Sequence, residues 1–231
     1  MVKRRLRACF VALGAAVGTV AAVVAITPAV YAADTTAAAT AATAAPAIVI
    51  LGDSISAEYG LPRDSGWVAL LRRRLADERI DYSVANASIS GDTTAGGLAR
   101  MPALMQRIKP SVVIVELGAN DALRGIPLAT TENNLRSIVQ LAQQGHAKVV
   151  LVGMYVPPNY GPDYTQKFHA IYGDLAKQMQ APLVPFLLAG IESKPEMFQA
   201  DQMHPTVQAQ PVLLNNVWPA LKPLLRPGSS R

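Results

Sequence analysis

Cysteine is almost missing from this chain: Cys9 is the only one in 231 residues. Past the first few residues, thiolate catalysis, thiolate metal ligation and a disulfide framework are therefore excluded, and the fold rests on its apolar core alone. Histidine is scarce as well. His146, His169 and His204 are the three imidazoles from which a general base could come. Charge of either sign is thin. The formal net charge is +5, but Lys3, Arg4, Arg5 and Arg7 supply four of those charges, so a single net positive charge is left for the remainder. No basic stripe of the kind that holds nucleic acid remains. Aromatics make up only 6% of the chain and few stand near the expected strand ends, which argues against a flat sugar-binding platform. No internal repeat is present.

The four leading cations precede an apolar stretch over 8–26, and Pro28 is followed by Val30-Tyr31-Ala32, with small residues placed for signal-peptidase cleavage. The stretch is nearly long enough to span a bilayer. Its richness in Ala and Gly, together with the processing site, favours a cleaved leader over 1–32 and no stable membrane anchor afterwards. The mature chain is then exported to the periplasm or the medium. Cys9 lies ahead of the apolar stretch and cannot serve as a lipoprotein cysteine. Arg4-Arg5 leaves a twin-arginine route open beside the general secretory one, although the residues that follow match it poorly. Residues 33–46 are nearly all Ala and Thr with one acid and read as a disordered tether. Residues 47–225 are one domain's worth of sequence, able to bury roughly 70% of the unfolded surface. Residues 226–231 read as a frayed tail.

Within the domain, apolar β-rich runs at 47–51, 82–86, 112–117, 148–154 and 182–186 alternate with helical patterns at 66–78, 94–108, 131–144, 164–180 and 206–224. Strands alternating with helices give βαβ units: a three-layer α/β/α fold around a five-stranded parallel sheet. The uninterrupted apolarity of Val112-Val113-Ile114-Val115 suits a central strand covered on both faces. The rhythm points to a flavodoxin-like strand order, which spacing alone does not fix.

In such sheets ligands bind beyond the carboxyl ends of the strands, and that is where the polar residues cluster. The first run stops at Gly52-Asp53-Ser54. The second leads into Gly91, and the third into Gly118-Ala119-Asn120-Asp121. The last helix is preceded by Asp201-Gln202-Met203-His204. A serine becomes a nucleophile when a base takes its proton, an acid holds that base and donors await the oxyanion. Ser54, His204 and Asp201 can fill the first three roles from two loops, and Gly91 and Asn120 can supply donors. Each also has a plain structural counterpart. Ser54 could be an N-cap, Gly91-Asp92 a turn pair, Asn120-Asp121 an Asx-turn, and Asp201 and His204 ordinary loop polars. His146 reads as a solvated turn and His169 as a surface or packing residue. The apolar segment 123–130, with Leu123, Ile126 and Leu128, is the expected lining of an acyl site, or else a plain connection.

The order Ser54, Gly91, Asn120, then Asp201-x-x-His204 resembles the SGNH hydrolases, or GDSL-type esterases. Gly52-Asp53-Ser54-Ile55 matches their first block with Ile in place of Leu. Asn86 to Thr93, Gly97 to Arg100 and Asn120 to Gly125 are similar to the exported bacterial thioesterase/lysophospholipase/arylesterase branch, and the likeness covers essentially all of 47–224. Ala119 stands where a glycine is often found. The resemblance implies an acyl-enzyme on Ser54, with His204 as base and Asp201 as its orienter. It also implies an oxyanion hole from the Ser54 and Gly91 N–H groups and the Asn120 side chain, with no metal or organic cofactor. Implied substrates are aryl esters, short to medium acyl esters, acyl thioesters and lysophospholipids. The enzyme is expected to act as a monomer. Two alternatives stand beside it: a carbohydrate O-acetylesterase on the same constellation, and a non-catalytic secreted binding module, which would lack a catalytic member. A standard α/β-hydrolase elbow is disfavoured, because Ser54 lies in Gly-x-Ser-x-Ser and acid and base share one loop.

Overall fold

The computed structural model describes residues 45–156 and 158–225. The leader at 1–32, nearly all of the tether at 33–46 and the tail at 226–231 lie outside the described residues. Five strands form one parallel sheet in the order β2-β1-β3-β4-β5: β1 (Ala47–Gly52), β2 (Ser83–Asn86), β3 (Val112–Glu116), β4 (Lys148–Val152) and β5 (Leu183–Val184). This is the flavodoxin-like winding, with the chain reversing direction across the sheet between β1 and β3. β1 and β3 are buried at every residue, as continuous apolar runs in a sheet covered on both faces must be. The edge strand β2 is only partly covered.

Among the described residues six α-helices connect and cover the sheet: α1 (Trp67–Asp77), α2 (Thr94–Ile108), α3 (Ala119–Leu123), α4 (Leu128–Gln144), α5 (Pro162–Gln178) and α6 (Gln210–Leu221). Local chemistry sets their ends. Thr93 caps α2 by accepting from Gly96 N–H at 3.3 Å. Pro162 opens α5, where a missing N–H costs nothing. The pattern at 206–224 resolves into α6 flanked by two 3₁₀ turns, Val207–Ala209 and Lys222–Leu224. The fifth strand shrinks to two paired residues, and α3 was not expected.

Register decides what meets at the carboxyl edge. Ile50 pairs with Asn86 on one side and Ile114 on the other, and Gly52 stands opposite Glu116. The carboxyl group of Glu116 is thereby laid against the Gly52-Asp53 turn. A Cβ on Gly52 would come within 2.8 Å of Glu116 Oε2 and of Ser56 Cβ, so the turn needs glycine there.

Candidate active site

Ser54 leaves β1 on a tight turn held by backbone bonds from Ala57 N–H to Asp53 O and from Tyr59 N–H to Ser54 O. The facing loop is closed by a bridge between Phe198 and Pro205, by Gln199 N–H donating to His204 O at 2.7 Å, and by Thr206 N–H donating to Met197 O at 2.8 Å. Gln199 Nε2 also donates to Tyr59 O at 2.9 Å, which ties this loop to the Ser54 turn. The Tyr59 ring lies against the His204 ring, centroids 4.5 Å apart. Held in this way, His204 Nε2 is 2.8 Å from Ser54 Oγ, and His204 Nδ1 is 2.7 Å from Asp201 Oδ2. The other carboxylate oxygen of Asp201 accepts the backbone N–H groups of Met203 at 2.9 Å and His204 at 3.0 Å. Hydroxyl, imidazole and carboxylate form one hydrogen-bonded line across residues 150 apart in sequence.

Gly91 and Asn120 border the same cavity as Ser54 and His204. Gly91 has φ +77°, a left-handed turn that suits glycine, and its carbonyl accepts from Arg124 Nη2 at 2.6 Å. The N–H groups of Ser54 and Gly91 are taken up by no hydrogen bond among the described residues. Asn120 sits in the first turn of α3 and donates one N–H to Asp53 Oδ2 at 3.0 Å. The cavity encloses about 710 Å³, and its walls are mainly apolar: Leu123, Met154, Tyr155, Phe186, Leu188 and Phe198.

Residues 50–210 match the GDSL-like lipase/acylhydrolase family. The chain belongs to that family. This acylhydrolase is 56% identical over 182 residues to Esterase TesA of Pseudomonas aeruginosa, covering 79% of this chain and 90% of that one. It is 43% identical over 182 residues to the thioesterase 1/protease 1/lysophospholipase L1 of Escherichia coli K12, covering 79% and 86%. A crystal structure of TesA superposes with a TM-score of 0.76 at 55% identity, covering 78% of this chain and 99% of that one. Like these relatives, the acylhydrolase is a hydrolase of ester bonds.

One expectation for the acylhydrolase's cavity is corrected. Leu123 lines it, but Ile126 and Leu128 do not. Pro127 turns the chain into α4, so Leu128 begins that helix and packs on the core, while Ile126 N–H folds back onto Asp121 O. The wall comes instead from the loops after β4 and β5, where apolar residues run on past the last paired positions. That overrun is visible in Gly153-Met154-Tyr155-Val156 and Phe186-Leu187-Leu188. His169 lies half-buried on α5 and stacks on Tyr155 at 3.7 Å, so it touches the cavity wall from behind. His146 is an exposed turn residue with φ +62°. Among the described residues there is no cluster of His, Cys, Asp and Glu able to hold a metal ion, and no helix is long and apolar enough to cross a membrane.

The carboxyl groups around Ser54 are pushed in opposite directions. Asp201 is drawn down to about 2, first by the His204 backbone N–H it accepts, then by the Met203 N–H and the His204 ring. It stays ionised beside the imidazole at any working pH. Asp53 is pushed up to about 6, chiefly by burial, against the lowering effects of the Ile55 N–H, the His204 ring and Asn120. Glu116 is raised by burial and by the neighbouring Asp53 charge. It accepts Ser56 Oγ–H at 2.7 Å and Asp53 N–H at 3.3 Å, and Trp67 Nε1–H donates to Ser56 Oγ at 3.2 Å behind it. Neither Asp53 nor Glu116 stood out in the sequence as a site residue. Their meeting depends on strand register, which local pattern does not encode.

Proposed function

We propose that this acylhydrolase cleaves acyl esters and thioesters through a covalent acyl-enzyme on Ser54. The observation that carries the reading is the unbroken line Ser54 Oγ, His204 Nε2, His204 Nδ1, Asp201 Oδ2, with both separations below 3 Å. Asp201 holds the proton on Nδ1, leaving the Nε2 lone pair for the Ser54 hydroxyl. As Oγ attacks the acyl carbon, Nε2 takes the proton and the former carbonyl oxygen becomes an oxyanion. The N–H groups of Ser54 and Gly91 and the free N–H of Asn120 are the donors for that charge. His204 then returns the proton to the departing alkoxide or thiolate. A water repeats the sequence in reverse roles and frees the acid.

The apolar cavity favours a hydrocarbon acyl chain over an acetylated sugar. Short to medium acyl esters, aryl esters, lysophospholipids and acyl thioesters are the substrate classes we assign. The last two also appear in the name of the Escherichia coli relative. We assign export by the leader at 1–32, which would put the enzyme, as a monomer, outside the cytoplasm and away from the cytosolic acyl-CoA pool, so that esters and lysolipids are the favoured natural substrates. Labelling purified enzyme with a fluorophosphonate probe, beside a panel of p-nitrophenyl esters, tests the reading. Ser54→Ala should lose the label. Ser54→Ala and His204→Ala should each drop kcat by several orders of magnitude, with the double variant little worse than either. Near-native turnover by His204→Ala would remove His204 from the role of base.

A further inference from the structure

We infer that Asp53, next to the nucleophile, is a positioning residue that fixes which end of the Asn120 amide faces the oxyanion. This rests on the acyl-enzyme reading above. The two ends of an asparagine amide are nearly alike in size, so only its partners decide whether nitrogen or oxygen points a given way. Asp53 Oδ2 accepts from Asn120 Nδ2 at 3.0 Å, and Asp53 Oδ1 accepts the Ile55 N–H at 3.1 Å. An ionised carboxylate is an acceptor only. It therefore selects the Asn120 nitrogen and leaves that nitrogen's second hydrogen for substrate. With the amide reversed, a carbonyl oxygen would confront the developing oxyanion, and a stabilising donor would become a repelling acceptor.

The surroundings of Asp53 show that this carboxylate is kept at some cost. It is 1% exposed, and the buried Glu116 lies behind it, bonded to the Asp53 backbone and to Ser56 rather than to a cation. The charged or titratable groups that interact with it are Glu116, Asp92, His204 and the buried Tyr172 hydroxyl. Arg100 donates instead to Asp92 and to Ala87 O. A buried acid without a cationic partner is a poor choice for stability. Burial raises it to about 6, so under mildly acid conditions it takes up a proton, gains a donor and can pair with the amide oxygen of Asn120. The oxyanion donor is then lost as pH falls through that value.

A double-mutant cycle on the full enzyme tests this. Asp53→Asn, which can pair with Asn120 in either orientation, should lower kcat by between about tenfold and 10²-fold in the native background, with KM little changed. In an Asn120→Ala background the same change should cost no more than about twofold, because the amide it orients is gone. The acid-side fall of wild-type kcat should be steeper than that of Asp53→Asn, which lacks one ionisation. Fluorophosphonate labelling should persist in Asp53→Asn, and its Tm at neutral pH should not fall. Equal losses in both backgrounds, or acid limbs of equal steepness, would overturn the inference. A wild-type enzyme that the probe does not label would instead overturn the Ser54 reading.

Discussion

Asn120 shows how much one side chain can carry when its partners are fixed. It is one of the three oxyanion donors we propose, and the one that can be deleted without touching backbone. Asn120→Ala should lower kcat on a p-nitrophenyl ester by on the order of 10²–10³, with KM nearly unchanged, because the donor is needed only once charge has moved to oxygen. A loss confined to KM would mean that Asn120 binds ground-state substrate instead. Candidates of this kind stand out in the sequence by position: Ser54 and Asn120 follow the ends of the apolar runs Ile48 to Leu51 and Val112 to Val115, and His204 lies in the polar stretch ahead of the last helix. Asp53 and Glu116 were not readable as partners. They are 63 residues apart and meet only because Gly52 pairs with Glu116 in the sheet.

At the scale of elements, the turn from β3 into α3 was the least visible part of the chain. Five residues are too few to show a helical period, and Gly118 reads as a loop. In the structure Gly118 is the N-cap of α3, with φ +122°, and a Cβ there would lie 2.3 Å from Tyr172 Oη. That hydroxyl is fixed, since Tyr172 is fully buried and donates to Leu117 O at 2.9 Å. Gly118→Ala therefore meets two penalties, a backbone region that L-residues avoid and a clash with a side chain that has no room to retreat. Each is worth about 1–3 kcal/mol. For a domain of this size, each kcal/mol lowers Tm by about 2–4 °C. Because α3 carries Asn120, activity should fall further than the melting curve alone accounts for. A variant as stable as the parent would show that the turn has slack the structure does not display. Similar reasoning explains the shortened α6. The apolar period at 206–224 was legible, but Pro211 opens the regular helix in its first turn and Pro223 lies in the 3₁₀ turn that follows it, with Pro219 taken up inside the last turn.

At the scale of the whole domain, strand order turns a linear set of loops into a site. Because β1 and β3 are adjacent in the sheet, the Ser54 and Asn120 loops are neighbours. β2 brings Gly91 to one side, and β4 and β5 bring the apolar wall to the other. The alternation of strands and helices announced this layering, but which loop would line the acyl site depended on side-chain directions that the pattern does not carry. The two candidate segments can be set against each other. A methylene moved from water into an apolar cavity gains about 0.8 kcal/mol, roughly fourfold in kcat/KM, so a decanoate ester should exceed a butyrate ester while the cavity still has room. Phe186 packs edge-on against Tyr155 at 4.9 Å within the wall, whereas Ile126 stands outside it. Phe186→Ala should therefore lower the decanoate-to-butyrate ratio of kcat/KM several-fold, and Ile126→Ala should leave it within about twofold. Any general loss of folded enzyme cancels in that ratio. The reverse outcome, with Ile126 governing chain length and Phe186 inert, would return the acyl site to the segment between Asn120 and α4.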